Sequence, residues 1–387
     1  MLSKSSNPQN SNSNNSNPES SNLGNSQRKN MNPETSNEEK QRAQHAQHAQ
    51  HAQQALKQIH QSQTMTLSIM VVLSLMTIFI APMFGLTFLT PWSDGSEIFW
   101  QMRVPRTLAA WLIGAGLSLS GLVFQAILRN PLAEPFTLGV AAGASLGAAI
   151  YIYFGVSLTL GVMSGISLFS FLGAGFITIL IYQVNFRTGH SSFKLLLMGV
   201  ILTFFISSIL MLLQSLGQSS SALAMMSWMM GRLSFVSLSD LWQLLIVTSL
   251  CFLLIYRFLP ELNLLQQGEA IAFSRGVNSA RIMGFLFLVV SLMTGIFVAL
   301  AGPIGFVGMV IPHICRKLLG VDHRRLFIAV IFLGGMVLAI ADTLGSVLLK
   351  PAEIPVGVIT AILGAPFFLF ILLREGKHQK FVVPNNK

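Results

Sequence analysis

Charge is what this sequence has least of. Only 10% of its 387 residues are Asp, Glu, Lys or Arg, against about 25% in an ordinary globular domain, which excludes a water-covered surface of normal size. There are two cysteines, Cys251 and Cys315, both inside apolar runs, so a disulfide-bridged exterior is excluded and two buried thiols are expected. No phosphate loop of the form G-x-x-x-x-G-K-[ST] occurs, because the Gly376-Lys377 pair is followed by His378. HExxH, paired catalytic carboxylates and nucleophile motifs are missing as well, so no catalytic residue and no metal site is assigned. Short alternating strands, the mark of an outer-membrane barrel, are not seen.

What is present is apolar length. Nearly uncharged stretches cover 65–93, 107–128, 136–186, 195–231, 241–256, 282–315, 326–341 and 354–373. A crossing helix needs about 20 apolar residues, so the longer stretches hold two, and roughly ten crossings of an all-α polytopic membrane protein are expected. A formal charge of +10 invites a nucleic-acid reading. With a cytoplasmic N-terminus and ten crossings, however, all but four of the 24 basic residues (Arg103, Arg106, Arg232 and Lys350) fall inside. The positive-inside rule then explains the charge as orientation, with both termini cytoplasmic and no nucleic acid involved.

Residues 1–63 are rich in Asn, Ser, Gln and His, and read as a disordered cytoplasmic tail with helix only near its end. Its AQHAQHAQHAQ repeat brings His45, His48 and His51 to spacing three. Without a carboxylate or cysteine to complete a coordination sphere, repeat expansion is the better reading. The first apolar run is too long and too late for a cleavable signal. Residues 64–376 then form one membrane domain, and 377–387 a short cytoplasmic tail.

Punctuation within the membrane domain is local. In RNPLAEP, Asn130 and Pro131 stop one helix, and Glu134 and Pro135 shape the next. Gly139, Gly143 and Gly147, at spacing four, form a packing face. Gly302 and Pro303 break a helix, either as a tight turn between two ordinary spans or with Pro303 in the first turn of a short successor. Asp342 is the one good intramembrane carboxylate for an ion-driven secondary transporter, the reading from another functional class.

Three segments carry a resemblance: RVPRTLAAWLIGAGLSLSGLVFQAILRNPLAEPFTLGVAAGASLGA, AGPIGFVGMVIPHICRKLLGVDHRRL and EIPVGVITAILGAPFFLFILLR. In order and spacing, over residues 65–376, they resemble the FecCD-type permease subunits of binding-protein-dependent ABC importers for ferric siderophores, haem and cobalamin. The resemblance implies the type II importer permease architecture in the cytoplasmic (inner) membrane. The implied partners are a second permease copy or paralogue, two cytoplasmic ATPases carrying ATP and Mg, and a periplasmic or surface binding protein. This chain itself would hold no cofactor. By the same resemblance, Arg103 and Arg106 meet acidic groups of the binding protein, and the RNPLAEP turn lies near the inner gate. Glu269, Ala272 and Gly276 belong to a coupling loop within 262–284 that docks on the ATPase. Relatives carry a further basic residue where Ser346 stands here, and Lys350, one turn on, is its expected substitute. They often carry leucine where Arg275 stands. Family frequency puts a ferric siderophore first as cargo, ahead of haem and cobalamin.

Overall fold

The computed structural model describes residues 33–85, 87–92, 95–155, 159–160, 163–188, 192–233 and 236–379. The chain divides into two compact units, 1–62 and 63–387. Helix α1 runs unbroken over Pro33–Ile80, so helix begins earlier than the tail's polarity suggested and carries His45, His48 and His51. The reason is compositional: residues 39–57 are mostly Ala, Gln, Lys and Glu, good helix formers, unlike the Asn and Ser that precede them. Residues 1–32 and 380–387 lie outside the described residues.

The second unit is helical apart from one antiparallel hairpin, Thr159–Leu160 with Met163–Ser164. A single α turn, Ser96–Ile98, and a π turn, Phe99–Arg103, lead into α2, Val104–Ile127. Then come α3 (Val140–Phe154), α4 (Gly165–Thr188), α5 (Ser192–Leu216) and α6 (Ser219–Met229). Helices α7 (Leu238–Arg257), α8 (Leu259–Gln267), α9 (Glu269–Ser274) and α10 (Ser279–Ala301) follow. The chain ends with α11 (Val307–Leu319), α12 (His323–Val347) and α13 (Val356–Gln379). Among the described residues, seven helices are long and apolar enough to cross a membrane, and α3 and the Val356–Phe370 part of α13 are shorter apolar helices. The 13-residue α11 is shorter still, so fewer helices reach full spanning length than the roughly ten crossings that hydropathy suggested.

Burial orders the bundle. The apolar window of α2 is 89% buried, while those of α1 and α7 are 17% buried. Helix α2 is therefore the axis, and α1 and α7 are peripheral. Their outward Leu, Phe and Met side chains, Phe79 and Leu253 among them, have only acyl chains to contact in a bilayer. Helix α2 packs so closely because its contact positions lack side chains. A Cβ on Gly121 would fall on the carbonyl of Gly308 in α11, and one on Gly114 on the carbonyl of Gly334 in α12. Small residues at the crossing let dispersion act along the backbones, which is what holds helices together in lipid.

The glycine face of α3 behaves in part as expected. Gly143 and Gly147 lie against Gly173 and Phe169 of α4. Gly139 instead is the N-cap of α3, with φ 77, and its nearest neighbour is the Gly199 carbonyl of α5. The break at Gly302 and Pro303 also differs from expectation. Helix α10 ends at Ala301, but α11 starts only at Val307, with Phe306 in left-handed backbone at φ 68. Pro303 thus stands in a non-helical connector rather than in the first turn of α11. Gly302 at φ 70 turns the chain out of α10, and the connector presses on Gly231 before the new helix begins.

Gly121→Ala should therefore cost stability of about 1–3 kcal/mol or more through overpacking against backbone. Gly175→Ala, in α4 with no atom near the added Cβ, should be neutral or stabilising. Thermal unfolding of the two purified variants in the same detergent checks the contrast.

Candidate functional site

The polar residues of the bundle collect at three levels along α2. At its N-terminal end, Arg106 makes a two-pronged ion pair with Asp342 of α12, Nε to Oδ2 at 2.8 Å and Nη2 to Oδ1 at 2.9 Å. Its remaining Nη1 donates to Glu353 Oε2 at 3.2 Å, and Arg232 Nη2 donates to the same oxygen at 3.2 Å. Two cations and two carboxylates from four chain segments thus balance one another. The Asp342 side chain is 9% exposed and that of Arg106 24%, so the paired geometry offsets the cost of desolvating the charges.

The two arginines of the RVPR element are not equivalent. Arg103 is turned toward the connection after α1, donating to the carbonyls of Pro82 and Met83 at 3.5 and 3.4 Å and to Thr87 Oγ1 at 3.3 Å. Both arginines line one cavity of about 230 Å3, shared with Asp342, Ser346 and Glu353. The Ser346 hydroxyl donates to the Thr343 carbonyl at 2.8 Å. Lys350 is exposed. The cation that meets Glu353 beside Arg106 is Arg232, from the segment after α6. Sequence reading passed over Arg232 and Glu353. Their signal was scarcity, since charged residues at this end of the bundle are few and their signs balance.

Near the C-terminal end of α2, the start of α11 is held from two sides. Gln125 Nε2 of α2 donates to the carbonyls of Gly308 and Met309 at 3.4 and 3.3 Å. The amides of Phe306 and Met309 face the buried carboxylate of Glu134. Glu134 thereby supplies acceptors at the start of α11, where the Met309 amide otherwise reaches only the Phe306 carbonyl at 3.2 Å. The RNPLAEP turn positions it. Arg129, in left-handed backbone at φ 48, ends α2, and Asn130 Oδ1 accepts from the Leu132 amide at 2.9 Å. Pro131 follows Asn130 in the turn. Thr137 Oγ1 accepts from the Glu134 amide and donates to its carbonyl. Pro135 packs against Gly308.

At the far end of α2, Arg129 forms an ion pair with Glu269, the first residue of α9. Gly276, at φ 78, turns the chain after this short helix, and the Val277 amide closes on the Ala272 carbonyl at 3.0 Å. Ala272 is buried, while Phe273 is 80% exposed and Ile271 44%. Arg275 is exposed as well. Helix α8 is tied to the start of α12 through Asn263, whose Oδ1 meets the His323 amide at 2.9 Å and whose Nδ2 donates to Asp322 at 2.9 Å. Phe273 was not singled out from sequence, because a lone phenylalanine in a polar loop carries no periodic signal. Cys251 and Cys315 are free and buried, and among the described residues no three His, Cys, Asp or Glu side chains group as a metal site.

Comparison with known proteins gives one consistent result. Residues 64–374 match the profile of the FecCD transport family. An iron chelatin transport system permease protein of Helicobacter pylori is 35% identical over 282 residues, covering 73% of this chain and 84% of the relative. The vitamin B12 import system permease protein BtuC of Pectobacterium atrosepticum is 39% identical over 289 residues, 74% of this chain and 86% of the relative. A solved inward-facing structure of a metal-chelate-type ABC transporter superposes with a TM-score of 0.73 at 30% identity, over 80% of this chain and 99% of that one.

Breaking the Arg106–Asp342 pair from one side should be worse than removing it. Asp342→Leu alone is expected to cost on the order of 3 kcal/mol by leaving Arg106 under-compensated, whereas Arg106→Leu with Asp342→Leu should recover most of that loss. A double-mutant cycle on unfolding midpoints in detergent measures the difference.

Proposed function

The chain belongs to the FecCD transport family, and from that premise we propose that it is the permease of an ABC importer for a ferric siderophore, working with partner ATPases and an external binding protein. It is a multi-pass membrane protein and not itself the ATPase. The relatives' names divide between iron chelates and vitamin B12, so the cargo class is an iron chelate or cobalamin. The siderophore is our choice within that class, with haem a further alternative.

The observation that carries the reading is α9. It is a short helix with its small residue Ala272 buried and its large apolar residues Phe273 and Ile271 exposed. It lies in the polar loop between α7 and α10, where no acyl chains would cover it, so a protein partner is the natural occupant. On this reading α9 docks on an ATPase, and the Arg129–Glu269 pair ties it to α2. The α2 N-terminal end then faces outward, both termini are cytoplasmic, and Arg103 and Arg232 are the cations offered to a binding protein. Two copies of the permease enclose the path, with two ATPases beneath them.

The secondary-transporter alternative loses its one carboxylate. Asp342 is engaged by both prongs of Arg106, and the family match, to permeases powered by separate ATPases, weighs further against that alternative.

Phe273→Asp should lower ATP-driven uptake in vesicles holding the full importer roughly tenfold or more, by removing a docked aromatic anchor. The permease's own unfolding midpoint should hold, because the side chain is exposed. Parallel uptake of a labelled ferric siderophore and labelled cobalamin by the same vesicles decides the cargo, and uptake of cobalamin alone would overturn the siderophore choice.

A further inference from the structure

We propose that the rim where α7 ends and α12 begins binds an anionic glycerophospholipid of the surrounding bilayer, its phosphodiester held between Arg257 and Arg324. Arg257 is the last residue of α7 and Arg324 stands in the first turn of α12. Both open onto one cavity of about 640 Å3 whose wall is otherwise largely apolar, with Leu253, Tyr256, Leu259 and Pro260 in it. That volume lies in the range that accepts a small organic ligand or headgroup. Just inside the arginines, the ring of Phe327 meets those of Tyr256 and Phe252 at centroid distances of 5.6 and 6.2 Å. These contacts join the two helices and help hold Tyr256, which lines the cavity, in place.

The two faces of the cavity call for the two ends of a lipid. Leu253 and Tyr256 are 67% and 59% exposed on a helix that is almost entirely peripheral, so the apolar wall runs directly into the acyl region. The charged side has unused capacity. Arg257 approaches Glu261 only to 3.7 Å, beyond a direct hydrogen bond. The Arg324 guanidinium donates to no side chain among the described residues; its amide is the group bound to Asp322. Of the carboxylates on this rim, Glu261 sits in the Arg257 pair, and Asp322 is hydrogen-bonded by Asn263 and faces the charges of Arg325 and Arg324 without a side-chain hydrogen bond to Arg324. Two guanidinium forks are therefore available to a phosphodiester, the geometry that arginine matches with paired donors. A zwitterionic headgroup would add a cation next to both arginines, whereas an anionic one adds none. Basic pockets between crossing helices on the positive side of a membrane protein recognise anionic headgroups by this means. Tyr256, apolar in its ring and polar at its tip, stands where the two regions meet.

The test places the full-length chain in vesicles of phosphatidylcholine alone, or of phosphatidylcholine and phosphatidylglycerol in equal parts. Trace spin-labelled phosphatidylglycerol or phosphatidylcholine then reports the motionally restricted lipid. Wild type should prefer the anionic probe by roughly tenfold. Arg257→Gln with Arg324→Gln should reduce that preference severalfold at unchanged helix content, leaving the part due to the other basic residues on that side. Arg257→Lys with Arg324→Lys, which keeps the charge, should retain part of it and guards against a folding defect in the first variant. Equal restriction of both probes by wild type would overturn the proposal. So would an undiminished preference in the glutamine variant, or displacement of the anionic probe by dissolved inorganic phosphate, which would mark a site for a free anion rather than a lipid.

Discussion

Lipid offers no hydrogen bonds, so each backbone group released by a break in a helix must find its partner within the protein. The connector from Gly302 to Phe306 is where this chain meets that constraint most directly. The Gly302 amide returns to the Val298 carbonyl at 2.8 Å. The first carbonyls of α11 receive Gln125, and its first amides face Glu134. The Gln125 contacts would not form if α2 stood at an ordinary helix separation. They form because Gly121 lets the α2 backbone touch Gly308. One close crossing thus licenses the short α11, and with it the non-helical segment between Ala301 and Val307.

The same dependence explains which features could be read in the sequence. Helices of full crossing length were legible because a run of apolar residues has no other stable form in a bilayer. The stops at Asn130-Pro131 and Gly302-Pro303 were legible because glycine and proline act on the backbone alone. The start of α11 at Val307 was not, because it is set by Phe306, a residue with no preference for left-handed backbone that is held there by its surroundings. Gly139 was misplaced for a related reason: spacing four put it on the α3 packing face, but its φ of 77 assigns it to the turn. The partners of Arg106 were hidden by distance, since Asp342 and Glu353 lie 236 and 247 residues away along the chain. Helix α9 fell between these cases. Glycine marked its ends, while the outward turn of Phe273 depends on Ala272 being buried, which only the packed structure reveals.

The charge cluster at the start of α2 divides labour that the sequence motif presents as one. Arg106 neutralises Asp342 and shares Glu353 with Arg232, so it is committed within the chain. Among the described residues Arg103 meets carbonyl and hydroxyl oxygens, which engage its donors without cancelling its charge. Positive charge at this end is therefore carried by Arg103 and by exposed Lys350, while half-exposed Arg232 stands at the edge of the balanced cluster. An acidic partner approaching this surface meets Arg103 through simple attraction, but can engage Arg232 or Arg106 only by competing with Glu353. Opposite charge steers the encounter, and the internal carboxylate sets how much is gained when contact is made.

Helix α2 connects these levels mechanically as well as spatially. Its 24 residues span about 36 Å, with Arg106 bound to Asp342 near one end and Arg129, just beyond the other, bound to Glu269. Between them the helix is 89% buried and touches α11 and α12 at glycine contacts that leave no slack. An element so enclosed has no room to bend or rotate by itself, and displacement of α9 must either break the Arg129–Glu269 pair or be shared with α2. Since the Arg129 and Glu269 side chains are 37% and 51% exposed, that pair is the weaker link. The buried Arg106–Asp342 pair and the glycine crossings are the stronger ones. The Arg129–Glu269 tether is therefore the contact that yields first, and the glycine-packed axis is what any larger motion has to carry with it.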